Sequence, residues 1–222
     1  MSDRHALAAA LRGLLPPSVA AEVAPVDLER LNPPFPLEGQ GLEGAVAKRR
    51  AEFSAGRRAA HAALAALGVP AAPLIPSPRR DPLWPAGVVG SIAHSGAWAL
   101  AAAARAGSPA GVGLDVEPAQ PLKERLARMI LTPEERARAP WSAGGLWLRR
   151  AFCAKEAVYK AQYPLTQRFL EFEQVTLEPA GDDAFLATVP GWSRPVGGRW
   201  VEVAGYLLCA VCLEHGPDQA VD

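Results

Sequence analysis

Asp115 and Glu117 stand one residue apart in Gly111-Val112-Gly113-Leu114-Asp115-Val116-Glu117-Pro118. Val112, Leu114 and Val116 alternate with Gly111, Gly113, Asp115 and Glu117, which is the period of a strand. Both carboxylates therefore leave the same face, about 6.7 Å apart along the chain. Like charges held that close repel unless something positive lies between them. Oxygen donors with no Cys or His nearby in sequence suit a hard cation, Mg²⁺ rather than Zn²⁺. The two glycines leave the rest of that face bare, so a bulky anion could approach the backbone there. A strand ending in solvated acids before a proline has the same pattern, so the pair needs a partner elsewhere in the chain.

Trp141 to Gln162 reads as a long helix stopped by Pro164. At about 100° per residue, Leu148, Ala151, Phe152, Val158 and Tyr159 share an apolar arc, and Lys155 falls inside it. Burying an ammonium without a partner is costly, and an anion-filled cleft on this helix would remove the cost. Arg149, Glu156 and Lys160 cluster beside the arc; Glu156 and Lys160, one turn apart, equally describe an ordinary surface ion pair. Other cations precede the acids. Arg50, Arg57 and His61 recur on one side of a helix spanning Ala45 to Leu67, Arg79 and Arg80 lie in a proline-rich loop, and His94 sits near a turn. A phosphate-facing stripe and a solvated basic face both fit them.

The elements that must position these groups can be read in outline. A short Ala/Leu helix opens the chain, followed by coil with one strand near Ala20 to Val26 among Pro16, Pro17, Pro25, Pro33, Pro34 and Pro36. Val88 to Ser95 and Ala97 to Arg105 read as two arms of a hairpin turning at Ser95-Gly96, although the alanine-rich second arm equally fits a short helix on propensity. Leu122 to Leu131 reads as a helix, and Thr132-Pro133-Glu134-Glu135 as a capping box that starts another. Strands follow at Gln174 to Glu178, Ala184 to Val189, Arg199 to Val203 and Tyr206 to Leu213. Helix then antiparallel strands, twice over, predicts an α+β fold with two similar halves, residues 1–108 and 109–222.

Composition excludes other classes. The 222 residues are 50% hydrophobic, enough to bury a sizeable core, and 23 basic residues balance 23 acidic ones. No net positive charge is available for bulk nucleic-acid binding. No apolar run approaches the ~20 residues of a membrane span, and the first ten residues lack a secretion signal, so the expected address is the cytoplasm. Cys153, Cys209 and Cys212 fit a reducing compartment. Cys209 and Cys212 are three apart in an alternating strand and hence on opposite faces, as core thiols rather than a redox or zinc pair.

Gly111 to Glu117, followed about forty residues later by Phe152-Cys153-Ala154-Lys155-Glu156-Ala157-Val158-Tyr159-Lys160, resembles the paired signature of 4′-phosphopantetheinyl transferases, G-[VI]-D-[VI]-E and W-x-x-K-E-A-x-x-K. Ala51-Glu52-Phe53, Gly56-Arg57, Arg80 to Pro85 and Gly90 to Ser95 resemble the branch that activates siderophore and surfactin synthetases. The resemblance spans roughly Arg50 to Lys160. Departures are Leu114 for Ile, Phe152 for Trp, Ala93 for Ser and His61 for Arg.

The resemblance implies a monomer whose two α+β halves, related by a pseudo-twofold, hold coenzyme A and Mg²⁺ (or Mn²⁺) between them. It implies transfer of 4′-phosphopantetheine to a serine of an apo acyl or peptidyl carrier protein, releasing adenosine 3′,5′-bisphosphate. In it Asp115, Glu117 and Glu156 hold the metal, and Glu156 takes the serine proton directly or through a water on the metal. Lys155 and Lys160 hold the phosphates, and Arg50, Arg57, Arg80 and His94 hold the 3′-phosphate and adenine end. Two other classes stay open: a Mg²⁺-dependent pyrophosphate or phosphodiester hydrolase using the same acids, and a non-catalytic coenzyme A or carrier-binding protein.

Overall fold

The computed structural model describes residues 2–107, 109–138 and 146–217. It is an α+β fold built on two antiparallel sheets. Helix α1 (Asp3–Leu14) leads into strand β1 (Ala20–Pro25), and after the proline-rich coil comes helix α2 (Ala47–Ala66). Strands β2 (Val88–Ser95) and β3 (Trp98–Arg105) form the expected hairpin, and with β1 they make a three-stranded sheet in the order β1-β3-β2. Gly96 turns the hairpin at φ +57°, and a Cβ there would also lie 2.7 Å from the Tyr206 hydroxyl.

Strand β4 (Gly111–Pro118) carries Asp115 and Glu117. Short helices α3 (Ala127–Ile130) and α4 (Pro133–Ala137) precede the long helix α5 (Trp147–Thr166). Strands β5 (Thr176–Pro179), β6 (Ala184–Thr188), β7 (Val196–Val203) and β8 (Tyr206–Leu213) complete a five-stranded sheet in the order β4-β8-β7-β6-β5.

Three elements differ from the sequence reading. The Leu122–Leu131 helix is a 3₁₀ turn, Glu124–Leu126, running into the single turn of α3. Its apolar period is real, since Leu122, Leu126, Ala127 and Ile130 all pack on the core. Helix α5 runs through Pro164 to Thr166 and ends with Gln167 in the left-handed region, whose N–H reaches the Tyr163 carbonyl at 2.8 Å. A proline in the last turn removes one helical donor without stopping the chain. The expected start of that helix, Trp141 to Gly145, lies outside the described residues.

Helix α2 covers one face of the three-stranded sheet through Ala55, Ala59, Ala60, Ala63 and Leu64, and alanines let backbone approach sheet closely. Helix α5 covers the five-stranded sheet. A third cluster joins the two sheets, combining Leu7 and Leu11 of α1, Val23, Ala93 and Leu100 with Val112, Leu114, Val116 and Leu208. The apolar face of β4 therefore serves the junction. Cys209 joins the α5 core while Cys212 packs on the junction side, so the two thiols face opposite ways, and all three cysteines are free. No helix among the described residues is long and apolar enough to cross a membrane.

The proline-rich coil is held by a buried carboxylate. Glu38 accepts from His61 Nε2 at 2.6 Å, from the Leu74 N–H at 2.8 Å and from the Phe35 N–H at 3.3 Å. Burial pushes its carboxyl up, but His61 and these N–H groups outweigh burial and hold it below the ordinary 4.5. A carboxyl that is more acidic folded than unfolded stabilises the fold above the unfolded value and loses that contribution as pH falls through the folded one. Glu38→Gln should accordingly cost about 1–3 kcal/mol at neutral pH. The gap from wild type should close below pH 4.5, read as denaturation midpoints across pH. A gap that widened there would refute the assignment.

Candidate active site

The bare face of β4 meets a helix. A Cβ on Gly113 would fall 1.9 Å from the Ala157 carbonyl oxygen, and one on Gly111 would fall 2.6 Å from that of Ala161. The room left by the glycines is therefore filled by the backbone of α5, not by an anion as the sequence suggested. Strand and helix run antiparallel, and two strand residues (about 6.7 Å) match four helical residues (about 6 Å). The same stepping sets Asp115 over the turn of Cys153 and Glu117 over that of Arg149. Arg149 Nη1 donates to Glu117 Oε2 at 2.5 Å, and Arg149 Nε to the Gln120 carbonyl at 3.0 Å.

Lys160 Nζ reaches Asp115 Oδ1 at 2.7 Å, while Asp115 Oδ2 is buried without a hydrogen-bond partner. The Glu156 carboxyl lies within electrostatic reach of both. Burial pushes its carboxyl up; Lys160 opposes and the Asp115 charge adds to the rise. Glu117 is raised likewise, by burial and then by Asp115, with Arg149 and Lys160 opposing. Burial works against the Lys160 ammonium, yet Asp115 and then Glu156 lift it above its ordinary value. Three carboxylates thus crowd two cations, and one buried oxygen is left over.

His94, on β2, approaches Lys160 and Asp115 from the other sheet. Its Nε2 lies 2.9 Å from Arg49 Nη1 and its Nδ1 3.8 Å from Glu52 Oε2. A guanidinium only donates, so Nε2 accepts and the ring proton sits on Nδ1, toward Glu52. Burial and then the Arg49 and Lys160 charges push the imidazole below 6.5, Glu52 and Asp115 partly opposing. Beside Lys160, a small hollow of about 100 Å³ is lined by Trp84, Ile92, Tyr159 and Tyr163. A cavity of about 610 Å³ is lined instead by residues such as Phe185, Trp192 and Cys212 and touches none of Asp115, Glu117 and Glu156.

The remaining predicted residues scatter. Arg50 donates to Asn32 Oδ1 at 3.0 Å and borders a separate cavity of about 370 Å³ with Leu31, Pro33 and Gln40. Arg57 is 4% exposed, its guanidinium 4.5 Å from the Phe53 ring and its Nε without a partner. Arg80 is exposed on a loop at φ +73°. Its neighbour Arg79 ties that loop to α5, donating to the Tyr163 hydroxyl at 3.0 Å and the Gln167 carbonyl at 3.2 Å.

Lys155 requires correction. It does not open on a cleft: its Nζ donates to the Ile130 carbonyl at 2.7 Å, Glu135 Oε2 at 2.7 Å and the Phe172 carbonyl at 2.9 Å. The partner that its apolar setting demanded is an internal carboxylate. Glu135 does form the capping box, Thr132 N–H to Glu135 Oε2 at 2.7 Å and Glu135 N–H to Thr132 Oγ1 at 3.2 Å, but the box was not its whole role.

Two departures also find a place. Phe152 rests 5.5 Å from the Phe172 ring. Ala93 is 2% exposed in the junction core; by strand alternation it points away from His94, so a hydroxyl there would not have faced the cleft.

Among the described residues, no group of three or more His, Cys, Asp or Glu is drawn together as a metal cage. Lys160 and Arg149 lie on the acids instead. The donor set is nevertheless all oxygen, Asp115 Oδ2 is buried without a partner, and burial together with the Asp115 charge raises Glu117 and Glu156, so the group is short of positive charge, which fits a hard divalent cation.

A family model described as the 4′-phosphopantetheinyl transferase N-terminal domain matches residues 37–104. A second, described as the 4′-phosphopantetheinyl transferase superfamily, matches residues 111–206 and so includes the acids, Glu156 and Lys160. The 4′-phosphopantetheinyl transferase Svp of Streptomyces mobaraensis is 40% identical over 81% of this chain and 78% of its own length. The corresponding figures for the 4′-phosphopantetheinyl transferase PptT of Mycobacterium tuberculosis are 38%, 90% and 96%. Enterobactin synthase component D of Salmonella typhi is 44% identical over 54% of this chain and 51% of its own. With both halves matched and relatives aligned over most of their length, the chain belongs to the 4′-phosphopantetheinyl transferase superfamily and is an enzyme of that class.

Proposed function

We propose that the protein moves 4′-phosphopantetheine from coenzyme A to a serine of an apo acyl or peptidyl carrier protein, in a Mg²⁺-dependent reaction that releases adenosine 3′,5′-bisphosphate. The observation that carries this reading is the convergence of Asp115, Glu117, Glu156, Lys160 and His94 from β4, α5 and β2 at one cleft. The likeness to a protein named as an enterobactin synthase component favours siderophore, polyketide or nonribosomal peptide biosynthesis as its setting. We assign residues 1–108 to the adenine end of coenzyme A and residues 109–222 to metal and chemistry, in a cytoplasmic monomer; the free thiols agree with a reducing compartment.

Asp115, Glu117 and Glu156 would hold Mg²⁺ or Mn²⁺, which when bound would neutralise charge on the phosphoryl oxygens. Glu156 takes the proton of the attacking serine, and burial, together with the nearby Asp115 charge, moves its carboxyl toward the range a general base needs. Lys160, kept cationic by its acidic neighbours, holds the transferring phosphoryl group once Asp115 is otherwise engaged. His94 and Arg49 present an anion-facing edge from the opposite wall. Arg50, Arg57 and Arg80 are assigned to the 3′-phosphate and adenine end, with Arg50 beside a hollow of about 370 Å³ on that side.

Glu156→Gln removes the base and keeps its size. Its kcat should fall about 10²–10⁴-fold while coenzyme A affinity in calorimetry changes little. An unchanged kcat would exclude Glu156 as the base.

Intact-mass measurement of an apo carrier protein incubated with this protein, coenzyme A and Mg²⁺, with and without EDTA, tests the whole reading. A gain of one phosphopantetheine that EDTA abolishes is the expected result. Coenzyme A cleavage without any carrier would establish a hydrolase instead, and coenzyme A binding without product a binding protein.

A further inference from the structure

The residues that cage Lys155 come from separate parts of the chain. Ile130 lies at the end of α3, Glu135 on α4, Phe172 in a 3₁₀ turn after α5, and Leu177, whose N–H donates to Glu135 Oε1 at 2.7 Å, on β5. All three ammonium protons are used, and both carboxylate oxygens accept, with Oε2 taking the Thr132 N–H as well. The pair is 1% and 0% exposed. Nothing in this arrangement leaves a proton of Lys155 for a substrate phosphate.

The neighbouring residue, Glu156, faces Asp115 and Lys160 instead. Lys155 and Glu156 are about 100° apart on α5, so a rotation of the helix that frees one displaces the other. The glycine contacts along β4 fix how closely α5 approaches the sheet. They bear on the helix at the backbone of Ala157 and Ala161 and at the Leu165 side chain beside Gly111, and so hold its rotation along one line only. The Lys155 cage acts at a side chain a little over half a turn from Ala157, and holds it along a second.

Resting on the functional reading above, we infer that Lys155 and Glu135 form a positioning lock that sets the rotation of α5, and with it the aim of Glu156 and Lys160 at the reacting phosphate, without either residue touching coenzyme A. A lock and a phosphate ligand make opposite demands on the cation. Three acceptors around one ammonium suit its tetrahedral donors, whereas a phosphate would accept an arginine fork equally well.

The test is a double-mutant cycle on Lys155→Met and Glu135→Gln, measured below each variant's unfolding temperature, with coenzyme A affinity by calorimetry and transfer rate by intact mass. For a lock, both single variants lose kcat about 10²-fold, as expected for groups misplaced by about 1 Å. Coenzyme A affinity stays within about twofold, and the double variant is no slower than the worse single. Three results would overturn it. A drop in coenzyme A affinity confined to Lys155→Met would make Lys155 a phosphate ligand. Lower unfolding temperatures with unchanged kcat would reduce the pair to a stability element. Rate losses that multiply in the double variant would mean the two residues act separately. If Lys155→Met proves too unstable to purify, Glu135→Gln decides alone, since it cuts the same lock from a residue outside the cleft. Absence of transfer by the wild type, with coenzyme A still bound, would refute the functional reading and not the lock.

Discussion

Asp115→Asn protein should fold normally and yet transfer phosphopantetheine at least about 10³-fold more slowly, the scale of losing a principal electrostatic group at a phosphoryl site. The asymmetry follows from what Asp115 does in the folded chain. Its charge raises the carboxyls of both Glu117 and Glu156, and one of its own oxygens is buried without a partner. An amide of the same shape removes that repulsion and keeps an oxygen for Lys160. Stability should hold or improve slightly, as when strain stored at a functional site is released. Thermal unfolding with and without Mg²⁺ separates the two effects. Wild type should gain stability with Mg²⁺ by mass action, and the variant should gain little. Normal transfer by Asp115→Asn, or full Mg²⁺ protection, would remove Asp115 from the metal site.

Among the described glycines, Gly113→Ala should be the most damaging substitution. The added carbon would lie 1.9 Å from the Ala157 carbonyl oxygen and 2.7 Å from the Ala161 nitrogen. Both are helix backbone, so no side chain can rotate aside, and α5 must lift by more than 1 Å to restore contacts above 3.0 Å. Overpacking of this kind costs about 3 kcal/mol or more. The lift also carries Glu156 and Lys160 off Asp115, so the surviving folded fraction should transfer about 10²-fold more slowly. Gly197→Ala is the control, because a Cβ there meets nothing within 4 Å. If Gly113→Ala matched Gly197→Ala in unfolding temperature and kcat, the close seating of α5 on β4 would be wrong.

What the sequence made legible was local. The alternation around Asp115 defined a strand with the observed bounds, and the hairpin and the final strand followed from the same period. The shared direction of Asp115 and Glu117 followed too, since side-chain alternation is a property of one strand. Less legible was what faced each element. The bare glycine face suits an anion and a helix equally, and periodicity does not say which arrives. Lys155 was recognised as out of place, but its partner had already been explained as a helix cap; one carboxylate with two roles gives only the nearer signal. Glu38 gave no signal, because a glutamate in a proline-rich coil looks solvated until His61 and Leu74, far along the chain, close around it. Arg49 was read only as helix charge and Glu52 only as part of Ala51-Glu52-Phe53, their contact with His94 being a matter of tertiary approach.

Strands β2 and β4 are each the outermost strand of their sheet, and they lie edge to edge: the Leu114 N–H donates to Ser91 Oγ at 3.0 Å, and the junction core fills from both sides. An exposed outermost strand is a template for aggregation. Here each sheet hides the other's vulnerable margin, and the cleft opens along that seam. Severing the chain near Gly107 would therefore yield two fragments that each bare a sticky strand, rather than two soluble modules. Solubility and catalysis are bound to the same line of contact in this molecule, and neither half can be lent to another protein without a new cover for its edge.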